Sequence, residues 1–369
     1  MRTAVFALTQ QGVQCAGRVL SCLEEGAELF LPERFLALQD APAASLPAAA
    51  DKIHGFARLR PAVQQVFPRV EAMVFIMATG IVVRMIAPLL RNKLEDPAVV
   101  VLDEQGHHVI SLLSGHVGGA NSLTHLLAGA LGADPVITTA TDVEGLMAPD
   151  AWASGLGLRP WPKPHIQTVN TALLEKRPLL YYISPEMPAR ETYEAWLTAH
   201  GLDWQIQEDG RAVQKGPAVF LAPEKELPSL QAVPDDVLCL VPRPLLAGVG
   251  CKRGMSAAHI LEALQEACRR IGMPLARIAA LGSTDVKSDE AGLLAAAAEL
   301  ARPLHFFSQK ELAEAIAAYA LQESPFVKKT IGVGNVCEAA AACCSKGRVH
   351  FALLKTRFAG VTVALAWGS

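Results

Sequence analysis

TAVFALTQQGVQCAGRVLSCLEEGAELFLP, residues 3–32, is the stretch from which the fold class follows. Its first six residues form an apolar run with β-branched members, the pattern of a buried strand. Thr9 then supplies a side-chain oxygen suited to capping the helix that QGVQCAGRVLSCLEEG predicts. AELFLP, residues 27–32, has the pattern of a second strand. Strand, helix and strand in this order make a βαβ unit, and such units build parallel sheets.

The same grammar recurs down the chain. VFIM (74–77) is a strand, and Thr79-Gly80 opens a helix whose apolar side is predicted to carry Ile81, Met85 and Leu89. Arg84 lies on its other side, and Pro88 should kink or end it. AVVVLD (98–103) and HVISLL (108–113) are strands joined by the turn EQGH. SGHVGGAN (114–121), the helix SLTHLLAGALG and the strand PVITT (135–139) follow. DAPAASLPAAAD (40–51) has the composition of a linker or loop.

Residues 150–235 differ, with Trp152, Trp161, Trp196 and Trp204, many prolines, and short strands such as LLYYIS (179–184) and AVFLA (218–222). PEKELPSLQAVPDD (223–236) is expected to be a linker. After it, strands and helices alternate again, and HFALLKTRF and GVTVALAW close as a hairpin. The expected architecture is α/β. Parallel or mixed sheets flanked by helices occupy an N-terminal domain (1–145) and a C-terminal domain (236–369), with a small α/β middle domain (146–235) between them.

Composition narrows the function. Of 369 residues 51% are hydrophobic, enough for sizeable cores without disulfides. The net charge of −3 offers no basic footprint for nucleic acid. The run after Arg2 is too short for a signal peptide. FAGVTVALAW (358–367) falls short of the roughly 18 apolar residues of a membrane span. A cytoplasmic protein with no nucleic-acid or membrane partner is expected. The eight cysteines include no C-x-x-C pair, so reduced thiols and no protein-bound metal are expected.

Parallel sheets place ligands beyond the carboxyl ends of their strands. Six marked turns are expected there: Thr79-Gly80, SGHVGGAN, ITTATD (137–142), GVGCKRGMS (248–256), GSTDVKSDE (282–290) and GVGNVCEAA (332–340). In the second, His116 sits among Ser114, Gly115, Gly118, Gly119 and Asn121. An imidazole on such a turn suits general acid/base chemistry; equally, the glycines could only let the turn pack, with His116 as a cap. GVGCKRGMS sets Gly250, Cys251, Lys252, Arg253 and Ser256 together, two cations suited to an anion beside a helix-capping serine. Its G-x-G-x-x-x-G spacing approaches a dinucleotide fingerprint, but no acidic residue ends the next strand, RIAALGS, which argues against a nicotinamide enzyme. Cys251 has either a packing role or a lowered pKa. In GSTDVKSDE, Ser288 suits a cap, Asp289 and Glu290 suit a first helical turn, and Lys287 beside Asp285 is a candidate carboxylate binder. Gly332, Gly334 and Asn335 suit close strand–helix packing, with Glu338 either solvated or in the site.

Residues 80–142, GIVVRMIAPLL through SLLSGHVGGANSLTHLL to PVITTATD, resemble the N-terminal domain of the CbiG family. AGVGCKRGMS, STDVKSDEAGL, HFFSQKEL and GVGNVCEAAA resemble that family's C-terminal domain, which also occurs alone as the CobE type. The middle residues match only in position and length. The family contains the cobalt-precorrin-5A hydrolases of anaerobic cobalamin (vitamin B12) biosynthesis. The resemblance implies an enzyme that opens the lactone between the ring A acetate and the extruded meso carbon. The two-carbon fragment then leaves as acetaldehyde, giving cobalt-precorrin-5B. It also implies a cobalt-tetrapyrrole substrate that carries its own cobalt, no further cofactor, and transient contacts with other enzymes of the pathway. On that chemistry His116 is the expected base, Asp142 and Glu290 are lesser acid/base candidates, and the Gly118 and Gly119 N–H groups are oxyanion donors. Thr79, Gly80, Arg84, Ser114, Gly115, Asn121, Thr138, Thr139, Gly250, Cys251, Lys252, Arg253, Ser256, Asp285, Lys287, Gly332, Gly334 and Asn335 would line the substrate. A non-catalytic tetrapyrrole carrier of the same pathway is the alternative.

Overall fold

The computed structural model describes residues 2–23, 27–36, 53–92, 96–116, 118–207, 216–227, 233–319 and 321–368. Two compact units emerge, Met1–Met147 and Ala148–Ser369. In the first, Thr3–Ala7 (β1) is buried along its whole length. It pairs in parallel with Ala27–Pro32 (β2) on one side and, across a later crossover, with the fourth strand on the other. Its side chains alternate between two cores. Val5 and Ala7 join Val13, Ala16 and Val19 of helix Gln10–Cys22, whereas Ala4 and Phe6 join Val63 and Phe75. That two-sided burial explains the unbroken apolar run. Thr9 caps the helix as expected, its Oγ1 accepting from Gly12 N at 3.1 Å.

The sheet continues with Ile53–Phe56 (β3), Ala72–Ile76 (β4), Ala98–Leu102 (β5), His108–Leu113 (β6) and Asp134–Val136 (β7), in the order β3-β2-β1-β4-β5-β6-β7. The order reverses between β1 and β4, the switch point where open α/β sheets bind ligands. β6 runs antiparallel to β5 and β7 parallel to β6. The carboxyl ends of β6 and β7 therefore lie at the opposite edge of the sheet from those of β1, β4 and β5. Helix Thr79–Ile86 buries Val82 and Ile86, while Ile81 is 37% exposed. Apolar residues nearly surround this helix, so their spacing alone could not choose its inward face. β7 stops at Val136, short of the expected Thr139, and the preceding helix starts at Ala120. The stretch 40–51 lies outside the described residues.

The second unit holds two sheets. Leu158–Trp161 (β8), Leu180–Ile183 (β9), Trp204–Ile206 (β10), Ala218–Leu221 (β11) and Val237–Pro242 (β12) pair in the order β10-β9-β11-β12-β8. Trp152 packs on Trp196 with ring centroids 4.5 Å apart, so the tryptophans serve this core. Residues 223–236 join neighbouring parallel strands of one sheet, β11 and β12, rather than two domains. Val237–Pro242 accordingly belongs to the middle sheet, not to the C-terminal region that was expected to begin at 236.

Leu245–Cys251 (β13), Ile278–Thr284 (β14), Leu304–Phe307 (β15), His350–Phe358 (β16) and Val361–Trp367 (β17) form the third sheet, ordered β15-β14-β13-β17-β16. Helix Cys337–Cys343 lies directly on it. A Cβ on Gly248 would stand 1.7 Å from the Cys337 carbonyl oxygen, and one on Gly282 2.7 Å from that of Ala340. The turn GVGN ends helix Pro325–Ile331, not a strand. Among the described residues no helix is long and apolar enough to cross a membrane.

Candidate active site

The loop between β6 and helix Ala120–Leu131 is held by its own backbone. Ser114 adopts φ 57° and Gly119 φ 87°, both left-handed. Gly118 is required where it stands, because a Cβ there would lie 2.4 Å from the Ser114 Cβ. Gly119 N donates to His116 O at 2.9 Å, Ala120 N to Ser114 O at 3.1 Å and Asn121 N to Gly115 O at 3.0 Å. The first N–H groups of the helix are thus spent on the loop, which removes Gly119 as an oxyanion donor. Gly118 N makes no hydrogen bond among the described residues.

This loop delivers His116 to Asp142. His116 Nε2 lies 2.9 Å from Asp142 Oδ2 and 3.0 Å from Thr141 Oγ1. Asn121 Nδ2 donates to the same Asp142 oxygen at 3.0 Å and to Thr139 Oγ1 at 3.2 Å, and Ser111 Oγ donates to Asn121 Oδ1 at 2.6 Å. Asn121 is buried, so it acts as a tether rather than a substrate contact. Thr138 precedes this cluster, and Thr139 stands at the N-cap position of the short helix Ala140–Val143 without a side-chain capping bond. Ser114 is likewise buried, its Oγ donating to Asp96 O at 3.0 Å. In the Nε2–H tautomer the imidazole donates to Asp142, and its basic nitrogen is Nδ1. Ser111 and Thr141 carry no sequence signal that singles them out.

Thr79, Gly80 and Arg84 are not part of this cluster. They follow β4, whose carboxyl end lies at the other edge of the sheet from that of β6. The Arg84 guanidinium turns back on its own helix, donating to Gly80 O at 2.9 Å. The β5–β6 hairpin reverses the chain, so the Thr79-Gly80 turn and the His116 loop follow strand ends at opposite edges of one sheet.

In the C-terminal region the expected residues do converge, at the carboxyl ends of β13 and β14. Gly254 N donates to Glu290 Oε1 at 2.6 Å, Lys287 Nζ to Glu290 Oε2 at 3.0 Å, and Lys252 N to Gly360 O in the β16–β17 turn at 2.9 Å. Lys287 and Glu290 are both buried. The Lys287 ammonium, followed by the Gly254 N–H, holds the Glu290 carboxyl below the ordinary glutamate value. Glu290 is therefore a fixed carboxylate, unsuited to proton donation, and Lys287 is spent on it rather than on a ligand. Glu290 occupies the cap of helix Ala291–Glu299, displacing the expected Ser288.

Arg253 pairs with Asp289 at 3.1 Å on the surface, whereas Lys252 is exposed with no ion-pair partner among the described residues. Ser256 caps helix Ala257–Arg270. Asp285 Oδ1 accepts from Thr284 Oγ1 at 3.3 Å. Burial pushes the Cys251 thiol pKa up, against a lowered-pKa nucleophile. Gly250 makes room for Thr362, whose Oγ1 would stand 2.7 Å from a Cβ there. Gly332 and Gly334 do the same for Gln309 and Glu323. Asn335 and Glu338 are buried against each other; Glu338 also accepts from Lys355 N at 3.0 Å, so it is neither solvated nor open to a ligand. Among the described residues no three His, Cys, Asp or Glu side chains gather as a metal site.

Comparison with known proteins gives this geometry a context. Residues 61–142 match the family model for the cobalamin synthesis G N-terminal domain, a segment ending on Asp142, and 245–366 match that for its C-terminus. The cobalt-precorrin-5A hydrolase of Salmonella typhimurium is 34% identical over 98% of this chain and 96% of its own length. That of Priestia megaterium is 30% identical over 98% and 94%. A solved cobalamin biosynthesis protein G homologue from Sulfolobus solfataricus shares the fold, with a TM-score of 0.58, 17% identity, and coverage of 100% of this chain and 97% of that one. Matched in order by both family models and along nearly its whole length by these relatives, the chain belongs to the cobalamin synthesis G (CbiG) family.

Proposed function

We propose that the protein is a cobalt-precorrin-5A hydrolase in which His116 and Asp142 open the lactone. The observation that carries this is the 2.9 Å His116–Asp142 pair, fixed by Asn121, inside the segment shared with the N-terminal family domain. Water adds to the lactone carbonyl as His116 takes its proton, and Asp142 stabilises the imidazolium that forms. The Gly118 N–H, which makes no hydrogen bond among the described residues, is a loop donor for the developing oxyanion. Imidazolium returns the proton to the departing oxygen, leaving a carboxylate on ring A and a hydroxyl on the extruded carbon. Loss of that hydroxyl proton makes a carbonyl as the carbon–carbon bond to the ring breaks. The electron pair stays with the macrocycle, and acetaldehyde departs. Cobalt enters as part of the substrate.

The substrate is fringed with acetate and propionate arms. Lys252, exposed at the carboxyl end of β13, is a cation suited to one of them. Incubation with cobalt-precorrin-5A tests the reading: acetaldehyde and a ring-contracted product are expected. Stoichiometric binding without acetaldehyde would make the protein a carrier instead.

A further inference from the structure

The middle sheet has no part in the chemistry above, yet its edge holds an unusual pair of cations. β9, β11 and β12 run parallel, so their carboxyl ends share one edge. β8 is antiparallel to β12, which brings its beginning to that same edge. The register sets Arg159 opposite Val241, hence on the same face as Arg243, two residues further on. Arg159 Nη2 reaches the exposed Glu224 at 2.9 Å. Arg243 has no such partner. Its Nε is shielded from solvent without a hydrogen bond, and its guanidinium makes no ion pair among the described residues. Burial, and then the charge of Arg159, push its pKa below the ordinary arginine value. Its backbone is fixed nonetheless: Arg243 N donates to Gly157 O at 2.8 Å, and Arg243 O accepts from Arg277 Nη2 at 2.7 Å. Arg277 in turn lies over the Trp367 ring at 5.4 Å.

A rigidly mounted, partly buried guanidinium without an ion pair, on the same sheet face as a second arginine, raises the energy of the protein on its own. An anion beside Arg243 would satisfy the cation that has no ion pair, with Arg159, already held by Glu224, adding its charge from the same edge, and a planar carboxylate matches the guanidinium fork. We infer that Arg159 and Arg243 form a carboxylate-binding site at the carboxyl edge of the middle sheet, and that its ligand is an acetate or propionate arm of the tetrapyrrole. The identity of the ligand rests on the proposed function; the existence of an anion site does not.

Titration calorimetry with cobyrinic acid, a corrin polycarboxylate, and with its fully esterified form tests this. Wild-type protein is expected to bind the acid, and Arg243→Met to weaken that binding by about tenfold or more. The ester should bind both proteins equally. In turnover, Arg243→Met should raise KM and leave kcat in place. Should that variant not fold, Arg159→Met, altering a side chain 27% exposed, carries the same comparison. Equal affinity of wild type and folded variant for the acid would overturn the inference, as would no binding by wild type. A loss confined to inorganic phosphate would overturn the carboxylate assignment. Acetaldehyde release by the wild-type protein is scored separately, so failure of the functional proposal leaves a different pattern from failure of this site.

Discussion

At the scale of single residues, His116 depends on a charge it does not carry. Asp142 holds its ring and Asn121 holds Asp142; in the proposed mechanism Asp142 also balances the imidazolium. Asp142→Asn keeps the shape but loses the charge. It is expected to lower kcat by about a hundredfold or more with KM little changed, read by steady-state acetaldehyde release. Glu290 shows how a candidate acid can be a structural group. Its carboxylate form is favoured in the fold, so its contribution to stability is present above the unfolded glutamate value of 4.5 and is lost as pH falls through the lower folded value. Glu290→Gln should therefore melt at a lower temperature than wild type at pH 7, with the gap closing in melts below that value. His116 was legible because it sits on the turn between β6 and a helix, and Asp142 because it is the acidic residue that closes ITTATD, although the structure places it inside the short helix Ala140–Val143. The tethering role of Asn121 was not, because it depends on which side chains the loop brings within reach.

At the scale of elements, the βαβ opening, the Thr9 cap and the closing hairpin follow from apolar runs and capping chemistry. The turn EQGH already implied the β5–β6 reversal. What it did not give was the consequence that Thr79-Gly80 and His116 end up at opposite edges of one sheet. The glycines of GVGCKRGMS mislead as a nucleotide fingerprint, because Gly248 serves helix packing. Gly248→Ala places a methyl group 1.7 Å from the Cys337 carbonyl oxygen, and backbone cannot yield as a flexible side chain does. Loss of soluble folded protein, or a large drop in melting temperature, is expected. Gly254→Ala, in a position with open space and φ 75°, should cost only about 1 kcal/mol in a denaturant titration.

For the whole molecule, the His–Asp pair belongs to the first unit and the cationic edges belong to the second. A multiply charged substrate held by exposed and half-buried cations is screened by salt. KM for cobalt-precorrin-5A is therefore expected to rise with ionic strength while kcat holds. Lys252 and Arg253 stand out in the sequence, but Arg243 does not, and the pairing of all three could not be read there: Arg253 has Asp289, and Lys252 and Arg243 have no ion pair among the described residues. The central claim is that His116 opens the lactone, and acetaldehyde release from cobalt-precorrin-5A by wild type and His116→Ala tests it most directly. Wild type should release acetaldehyde, and the folded variant should do so about a hundredfold to ten-thousandfold more slowly. Near wild-type turnover by His116→Ala, or no acetaldehyde from wild type, would contradict the account.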